Sequence, residues 1–199
     1  AEAETPTATE AGSSEPAASE AVASATPGPR TPRPVAPAPS WRDLARAGRY
    51  RDAVAAAEAT GFDRLLASSS ATDLVALGDA ARLGGRADLA EKAYQDVRRR
   101  FAGTSEAGVA AFDLARLAFD VRHDYDAAAR WLRVCLAEPT AGGLAREASG
   151  RLIEALQRAG RDEAAAEAAR EYLRRDPSGP HAEFARALLG QDPAPREAP

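Results

Sequence analysis

Apolar residues recur at helical spacing between residues 70 and 177 of the chain. In one segment Leu74, Leu77 and Ala81 share a helical face, and after a polar turn Tyr94 and Val97 share the next. Such faces predict pairs of amphipathic helices that pack antiparallel, and therefore an all-α chain. The predicted core residues, unit by unit, are Leu74, Leu77, Gly78, Ala81, Ala90, Tyr94, Val97 and Phe101; Ala111, Leu114, Ala115, Ala118, Ala127, Trp131 and Val134; and Leu152, Ile153, Leu156, Ala165, Ala169 and Tyr172.

Short turn segments recur between these helices at a nearly constant period. The first, second and fourth turns begin with a glycine, and the third begins with an arginine. The four first residues are Gly48, Gly85, Arg122 and Gly160. The alanines that close the four turns lie 37, 37 and 38 residues apart: Ala53, Ala90, Ala127 and Ala165. A fixed period in this range predicts a stacked repeat protein in which each unit is a helix, a tight turn and a second helix. The small alanine is expected where the two helices approach most closely.

Composition divides the chain into residues 1–39, 40–190 and 191–199. The first segment holds 8 of the 14 prolines and five glutamates, and it has no Leu, Ile, Phe, Tyr or Trp. This composition predicts a disordered linker whose removal leaves the unfolding temperature unchanged, with an extended part from residue 27 to residue 39. Residues 40–190 are long enough for one helical domain, and residues 191–199 are predicted to be a disordered tail.

Charge and residue usage narrow the function classes. The terminal segments account for the whole net charge of −4, and the one tight basic run, 98–100, is interpreted as a solvated helix face, so nucleic acid is not an expected partner.

Cys135 is the single cysteine and is interpreted as a core residue. His123 and His181 lie far apart in no metal-binding spacing, so we expect no metal and no cofactor. The preference for arginine and alanine is typical of a GC-rich bacterial genome, and the absence of methionine predicts a processed chain or a fragment.

The repeat positions resemble those of the tetratricopeptide repeat (TPR) family. The resemblance rests on the Leu77-Gly78 pair, the turn glycines, the alanine five residues later and an aromatic residue four further on, such as Tyr94 or Trp131. It also includes the proline twelve residues after the alanine: Pro139 and Pro177. The match is strong from residue 71 to residue 177, weak from 41 to 60, and absent from both ends. It implies a right-handed α-solenoid, and its long period is similar to that of bacterial envelope proteins.

Both ends of such an array need a capping element. We expect residues 180–190 to form a C-terminal capping helix, with an apolar side that covers the last unit and a polar side toward water. Its predicted covering residues are Phe184, Leu188 and Leu189, and its predicted solvent-facing residues are His181, Glu183 and Arg186. At the other end Trp41 is either a core residue or a docking residue, and the first interpretation is favoured.

The resemblance implies that the first helix of each unit lines a concave groove. The expected partner-binding residues are Val75, Asp79, Arg82 and Leu83; Phe112, Arg116 and Phe119; and Glu154, Gln157 and Arg158. We expect a basic groove with an aromatic patch, in which Arg82 and Arg116 hold a partner segment and Phe112 contacts it. Replacing both arginines by glutamate should then abolish binding and leave helicity intact. In the alternative, Phe112 and Phe119 pack against the neighbouring unit.

The sequence is compatible with three classes of function. The leading one is a noncatalytic protein-interaction scaffold that holds a peptide segment of another protein, in the periplasm or cell envelope, with the cytoplasm as the alternative. The second is a structural or self-associating domain of a larger protein. An enzyme is the least favoured class, because no nucleophile motif, phosphate-binding glycine loop or pair of carboxylates in a distinct context is present.

Overall fold

The computed structural model describes residues 38–138 and 142–190, and within them the chain is all-helical. A stretch of π-helix follows α6, and no strand occurs in these residues. The helices are α1 (Trp41–Arg46), α2 (Tyr50–Thr60), α3 (Phe62–Ser68), α4 (Ala71–Leu83), α5 (Ala87–Arg100), α6 (Ser105–Arg116), the π segment (Leu117–Val121), α7 (Tyr125–Ala137), α8 (Ala145–Arg158), α9 (Asp162–Arg175) and α10 (Ala182–Leu188). The predicted terminal linker and tail, apart from residues 38 and 39, and Pro139 lie outside the described residues.

Side-chain caps begin several of these helices. Ser40 and Asp43 form a capping box at α1, because each side chain bonds the backbone N–H of the other. The Ser70 side chain accepts a bond from the Asp73 N–H at α4, and Thr104 caps α6 in the same way. These bonds satisfy N–H groups that have no partner inside the helix, so each cap fixes where its helix begins.

From α4 onward each helix packs against the one that follows it in the chain. The first helix of the second unit, α4, also contacts α2 before it and α6 after it. The predicted core faces of the second and fourth units are buried, apart from a half-buried Phe101. The building unit is therefore a pair of adjacent amphipathic helices. An additional short helix, α3, lies between the first unit and the second, and the sequence pattern did not predict it.

The turns inside the units share one backbone conformation. A residue with positive φ precedes the second helix in every unit: Gly48, Gly85, His123 and Gly160. In the third unit this residue is His123, with φ 53°, so the sequence-based alignment that gave Arg122 the glycine's position was wrong by one residue. Histidine tolerates the left-handed region better than most residues with a side chain, but it remains less suited to it than glycine.

The true spacing of the units follows from the N-cap residues, which directly precede the second helices. These residues are Arg49, Arg86, Asp124 and Arg161, which lie 37, 38 and 37 residues apart. The backbone N–H of the first, second and fourth donates to the carbonyl five residues back, whereas that of Asp124 donates six residues back, to Ala118. The π segment absorbs the additional residue, because a π turn holds one residue more than an α turn.

The inserted residue moves the buried face of α7. Ala128, Leu132 and Cys135 are buried there, whereas the predicted core residues Ala127 and Trp131 are only half-buried, as is Val134. The predicted core position of Cys135 is confirmed, since its side chain is fully buried. Burial raises the pKa of Cys135 to about 11, which disfavours a reactive thiolate at neutral pH.

A large residue faces a small one where the two helices of each unit cross. Counted from the N-cap residue of the second helix, one member of each pair lies eight residues before it and the other eight residues after it. In the third unit the member before the N-cap lies nine residues away, because of the π segment. The Tyr94 ring lies directly against Gly78, and the two members of each other pair belong to one core cluster: Trp41 with Ala57, Leu132 with Ala115, and Ile153 with Ala169. All eight residues are buried, so Trp41 is a core residue rather than an exposed docking residue.

The last helix, α10, packs on α9 through Ala182 and Ala185, which are buried. The predicted covering residues Phe184, Leu188 and Leu189 are half-buried against this cluster. The prediction that His181 faces water is wrong. Its ring fills the space beside Gly150 and lies edge-on to Tyr172 at 5.8 Å, so it anchors the start of α10. Arg186 is also only half-exposed.

Candidate interaction surface

Two ion pairs on neighbouring first helices form the centre of the predicted groove. Arg82 lies 3.2 Å from Asp79 on α4, and Arg116 lies 3.2 Å from Asp113 on α6. The two pairs are linked because the Arg82 Nε lies 3.9 Å from an Asp113 carboxylate oxygen. We call these four residues the charged strip. Tyr94, fully buried, donates a hydrogen bond of 2.8 Å to Asp79 and so connects the charged strip to the core.

Asp113 is the most buried member of the charged strip, with 5% of its surface exposed. Burial and the nearby Asp79 carboxylate raise the pKa of Asp113, against the opposing effects of Arg82 and Arg116. The two arginines are the charges that compensate this buried acid. The expected basic groove is therefore electrically balanced at its centre, and Arg82 and Arg116 are engaged within the protein rather than free for a partner.

Aromatic residues lie next to the charged strip but differ in access. Phe112 is 8% exposed and belongs to a core cluster that contains residues of the third and fourth units, so it offers little surface to a partner. Phe119 is half-buried and lies edge-on to Tyr125 with ring centroids 5.0 Å apart. The guanidinium of Arg158 lies 6.0 Å from both rings, within the range of a cation–π contact.

The remaining predicted residues extend the charged strip at both ends. Leu83 is 49% exposed and borders a cleft of about 480 Å³ between the first unit and α4, together with Asp79 and Arg82. Val75 is half-buried against the core and offers little surface. At the other end Glu154 lies 3.8 Å from Arg158, and the neighbouring Gln157 is exposed.

Arg116 and Phe119 border a shared small crevice with Arg151 of α8, which continues the surface from the third unit to the fourth. The structure thus connects the predicted residues from Leu83 through the charged strip to Phe119 and Arg158. Val75 and Phe112 do not contribute exposed groups to it. The connected surface contains both charge signs, one aromatic ring and one exposed leucine.

Several residues of this surface were not predicted from the sequence. Asp113 belongs to its centre, and Arg42, Arg46 and Tyr50 border the cleft beside Leu83. A signal for Asp113 exists in the sequence, because the pattern Asp-x-x-Arg-Leu occurs at 79–83 and again at 113–117. No comparable signal marks the cleft, since its walls come from α1, α2 and α4, and only their packing brings those residues together.

The surface shows no arrangement of groups typical of metal chemistry. Across residues 38–138 and 142–190 no three His, Cys, Asp or Glu side chains are grouped so that they could hold a metal ion. No helix in this part of the chain has the length and apolar character needed to cross a membrane. What the surface offers a partner is ion pairing, cation–π contact and limited apolar contact.

Comparison with models of known protein families finds no match to the chain. Comparison with curated proteins likewise finds no similar sequence.

Proposed function

We propose that this chain is a noncatalytic protein-interaction scaffold that binds a segment of another protein along the connected surface between Leu83 and Arg158. The supporting observation is that equivalent helices of neighbouring units present charged and aromatic side chains in one connected series. Extended surfaces of this kind are how repeat proteins bind their partners. The resemblance to TPR sequences supports a right-handed solenoid, with α10 as its capping helix.

The proposed compartment is the periplasm or cell envelope of a bacterium. This part of the proposal rests on the long repeat period and on the Pro-rich segment before the helices, which suits a spacer that holds a binding domain away from an anchor.

Replacement of both Arg82 and Arg116 by glutamate, the change suggested by the sequence, is not a clean test of binding in the groove. Either change removes a charge that compensates the buried Asp113, so loss of binding would be confounded with loss of folding. Exposed positions at the two ends of the surface are better targets. Leu83 is 49% exposed, and the side chain of Arg158 is 55% exposed.

The test is capture of proteins from an envelope fraction of the source bacterium on the immobilised full chain. We expect Leu83→Glu/Arg158→Glu to lose the captured proteins and the control Arg133→Glu/Arg170→Glu, exposed on second helices, to retain them. Circular dichroism of each variant verifies that helicity is unchanged. If both variants capture the same proteins as the parent, the surface is not the binding site and a structural or self-associating role is favoured.

A further inference from the structure

A cavity of about 530 Å³ lies between the third and fourth units. Its walls come from α7, α8 and α9, and α8 packs against both of the other helices. Its apolar lining includes Leu136, Leu152 and Ala168, one from each helix, which belong to the core cluster of these two units. The volume is within the range of small-molecule sites, about 300–1,000 Å³. No lining residue belongs to the connected surface of the proposed function, so this cavity is a separate site.

The space between the second and third units is occupied instead by an ion pair. Arg98 of α5 pairs with Glu138, which follows α7, and it also donates a hydrogen bond of 3.3 Å to the backbone carbonyl of Ala107 on α6. The side chains of Arg98 and Glu138 are only 20% and 12% exposed. The pair therefore connects two second helices across the first helix between them, and its two charges compensate each other.

The repeat register identifies which residues replace this pair between the third and fourth units. Arg98 lies twelve residues after the N-cap of α5, and Leu136 has the same position in α7. Glu138 lies fourteen residues after the N-cap of α7, and Arg175 has the same position in α9. Leucine thus replaces the arginine of the pair, and arginine replaces its glutamate. The second space consequently has an apolar wall where the first has a cation, and a cation where the first has an acid.

The rim of the cavity carries three arginines and two acids. Arg146 pairs with Asp176 at 2.8 Å, and Arg175 pairs with Glu171 at 2.6 Å. Among the described residues no acidic side chain pairs with the exposed Arg133, so the rim has a net positive charge. The Arg175 side chain is 70% exposed. Exposed ion pairs contribute little to stability, so Arg175 can exchange its acid for a ligand carboxylate at little cost.

We propose that this cavity binds a fatty acid. The alkyl chain lies against Leu136, Leu152 and Ala168, where its burial is favourable. The carboxylate lies at the rim with Arg133 and Arg175, whose planar guanidinium groups suit a carboxylate. The ligand then supplies the negative charge that Glu138 supplies between the second and third units.

A peptide fits the lining less well than an alkyl chain. Backbone groups in the helical walls are bonded within their own helices, and the uncharged polar side chains of the lining are Ser149 and Tyr172. The Tyr172 hydroxyl already accepts a hydrogen bond from the His181 N–H at 3.2 Å. A peptide would bury amide groups that need hydrogen-bond partners, whereas an alkyl chain needs none.

The test is isothermal titration calorimetry of the full chain with dodecanoate at low ionic strength. Three comparison ligands are dodecyltrimethylammonium, butanoate, and the peptide Ser-Gly-Ser-Leu-Leu with a free terminal carboxylate. We expect dodecanoate to bind with a Kd of about 100 μM or lower and each comparison ligand to bind at least about tenfold more weakly. No binding of dodecanoate at about 1 mM, or equal binding of the cation or the peptide, would overturn the proposal.

Variants locate the binding. Leu136→Arg/Arg175→Glu installs the ion pair found between the second and third units, so it should close the cavity and abolish dodecanoate binding. Arg133→Gln/Arg175→Gln changes exposed side chains only, so it tests the rim without a change in the core and should weaken binding by at least about tenfold.

The control is Arg130→Gln/Arg170→Gln, which removes two exposed arginines of the same helices outside the cavity and should leave binding unchanged. Circular dichroism of every variant verifies that helicity is retained. If the Arg133→Gln/Arg175→Gln variant binds dodecanoate as the parent does, or if the control loses binding equally, the ligand does not occupy this cavity and the proposal is wrong.

Discussion

In the second unit Tyr94 of α5 faces Gly78, whereas in the third unit Leu132 of α7 faces Ala115 at the equivalent positions. A Cβ atom on Gly78 would lie 2.5 Å from the Tyr94 ring, so the larger aromatic residue requires the glycine. The third unit combines a smaller core residue with a larger opposite one. In these two units a larger side chain on one helix is matched by a smaller one on the other, as expected for a closely packed interior. We call this match between the second and third units the volume rule, and the first unit, with Trp41 and Ala57, does not follow it.

The two units also differ in their connection between helices. The second unit turns through Gly85, and the third turns through His123 after a π segment that contains one more residue. Despite the inserted residue, the second helix of each unit buries the same positions counted from its own beginning: Ala90 and Tyr94 in α5, and Ala128 and Leu132 in α7. The backbone therefore accommodates the insertion, and the packing register is conserved.

Replacement of Ala128 by leucine tests this register and should have the largest effect. Ala128 is fully buried, so Ala128→Leu should overpack α7 and lower the free energy of unfolding by about 3 kcal/mol. Ala127→Leu, at the position favoured by the sequence pattern, should cost less than about 1 kcal/mol because Ala127 is only half-buried. Urea denaturation followed by circular dichroism measures both. Equal losses would contradict the register in which Ala128, rather than Ala127, is buried.

Exchange of residues between the two crossings tests the volume rule. Gly78→Ala should cost about 2 kcal/mol because its methyl group meets the Tyr94 ring. Addition of Tyr94→Leu recreates the pair found in the third unit, so the double variant should be at least about 1 kcal/mol more stable than the sum of the single losses. A double-mutant cycle from urea denaturation gives this coupling, and strict additivity would mean that the two positions do not share a volume.

The two turns can be exchanged with a smaller effect. His123→Gly should raise the free energy of unfolding by about 0.5–1 kcal/mol, because the residue has a φ of 53° in the left-handed region. Gly85→His should lower it by about 1 kcal/mol, and the loss is a backbone effect because nothing lies within 4 Å of a Cβ atom placed there. Thermal melts of the two variants check the prediction, and changes of the same sign would refute the equivalence of the turns.

The pH dependence of Asp113 should produce the smallest effect. The pKa of this acid is raised in the folded chain, so between its ordinary value of 3.8 and its raised value the folded state binds more protons than the unfolded state. The stability contributed by this group is therefore present at low pH and is lost as the pH rises through that window. The Asp113→Asn variant lacks this loss.

The measurement compares Asp113→Asn with the parent by urea denaturation at pH values from about 4 to 7. The difference in unfolding free energy should shift in favour of the variant as the pH rises, whatever its value at pH 4. Asp120→Asn changes an exposed neighbour and is the control. A difference that does not change with pH, or that moves toward the parent, would show that burial does not control the ionisation of Asp113.

The candidate surface was predicted in outline. Eight of its residues could be named because helical periodicity and the family resemblance indicate which face of each first helix avoids the core: Asp79, Arg82, Leu83, Arg116, Phe119, Glu154, Gln157 and Arg158. The sequence left open whether Phe112 is exposed or packed, and the pairing of Arg82 and Arg116 with acids was not predicted. Both depend on distances between residues on different helices, which a pattern along one chain does not contain.

The all-helical structure and the helix pairs were determined by the sequence alone. These features depend on local chemistry: apolar periodicity, a capping side chain such as Ser70, and glycine where φ must be positive. The register of α7, the anchoring of α10 by His181 and the balanced charge around Asp113 were decided only by the tertiary structure. Each depends on which side chains meet across helices, and at α7 a single π segment was sufficient to shift the buried positions by one residue.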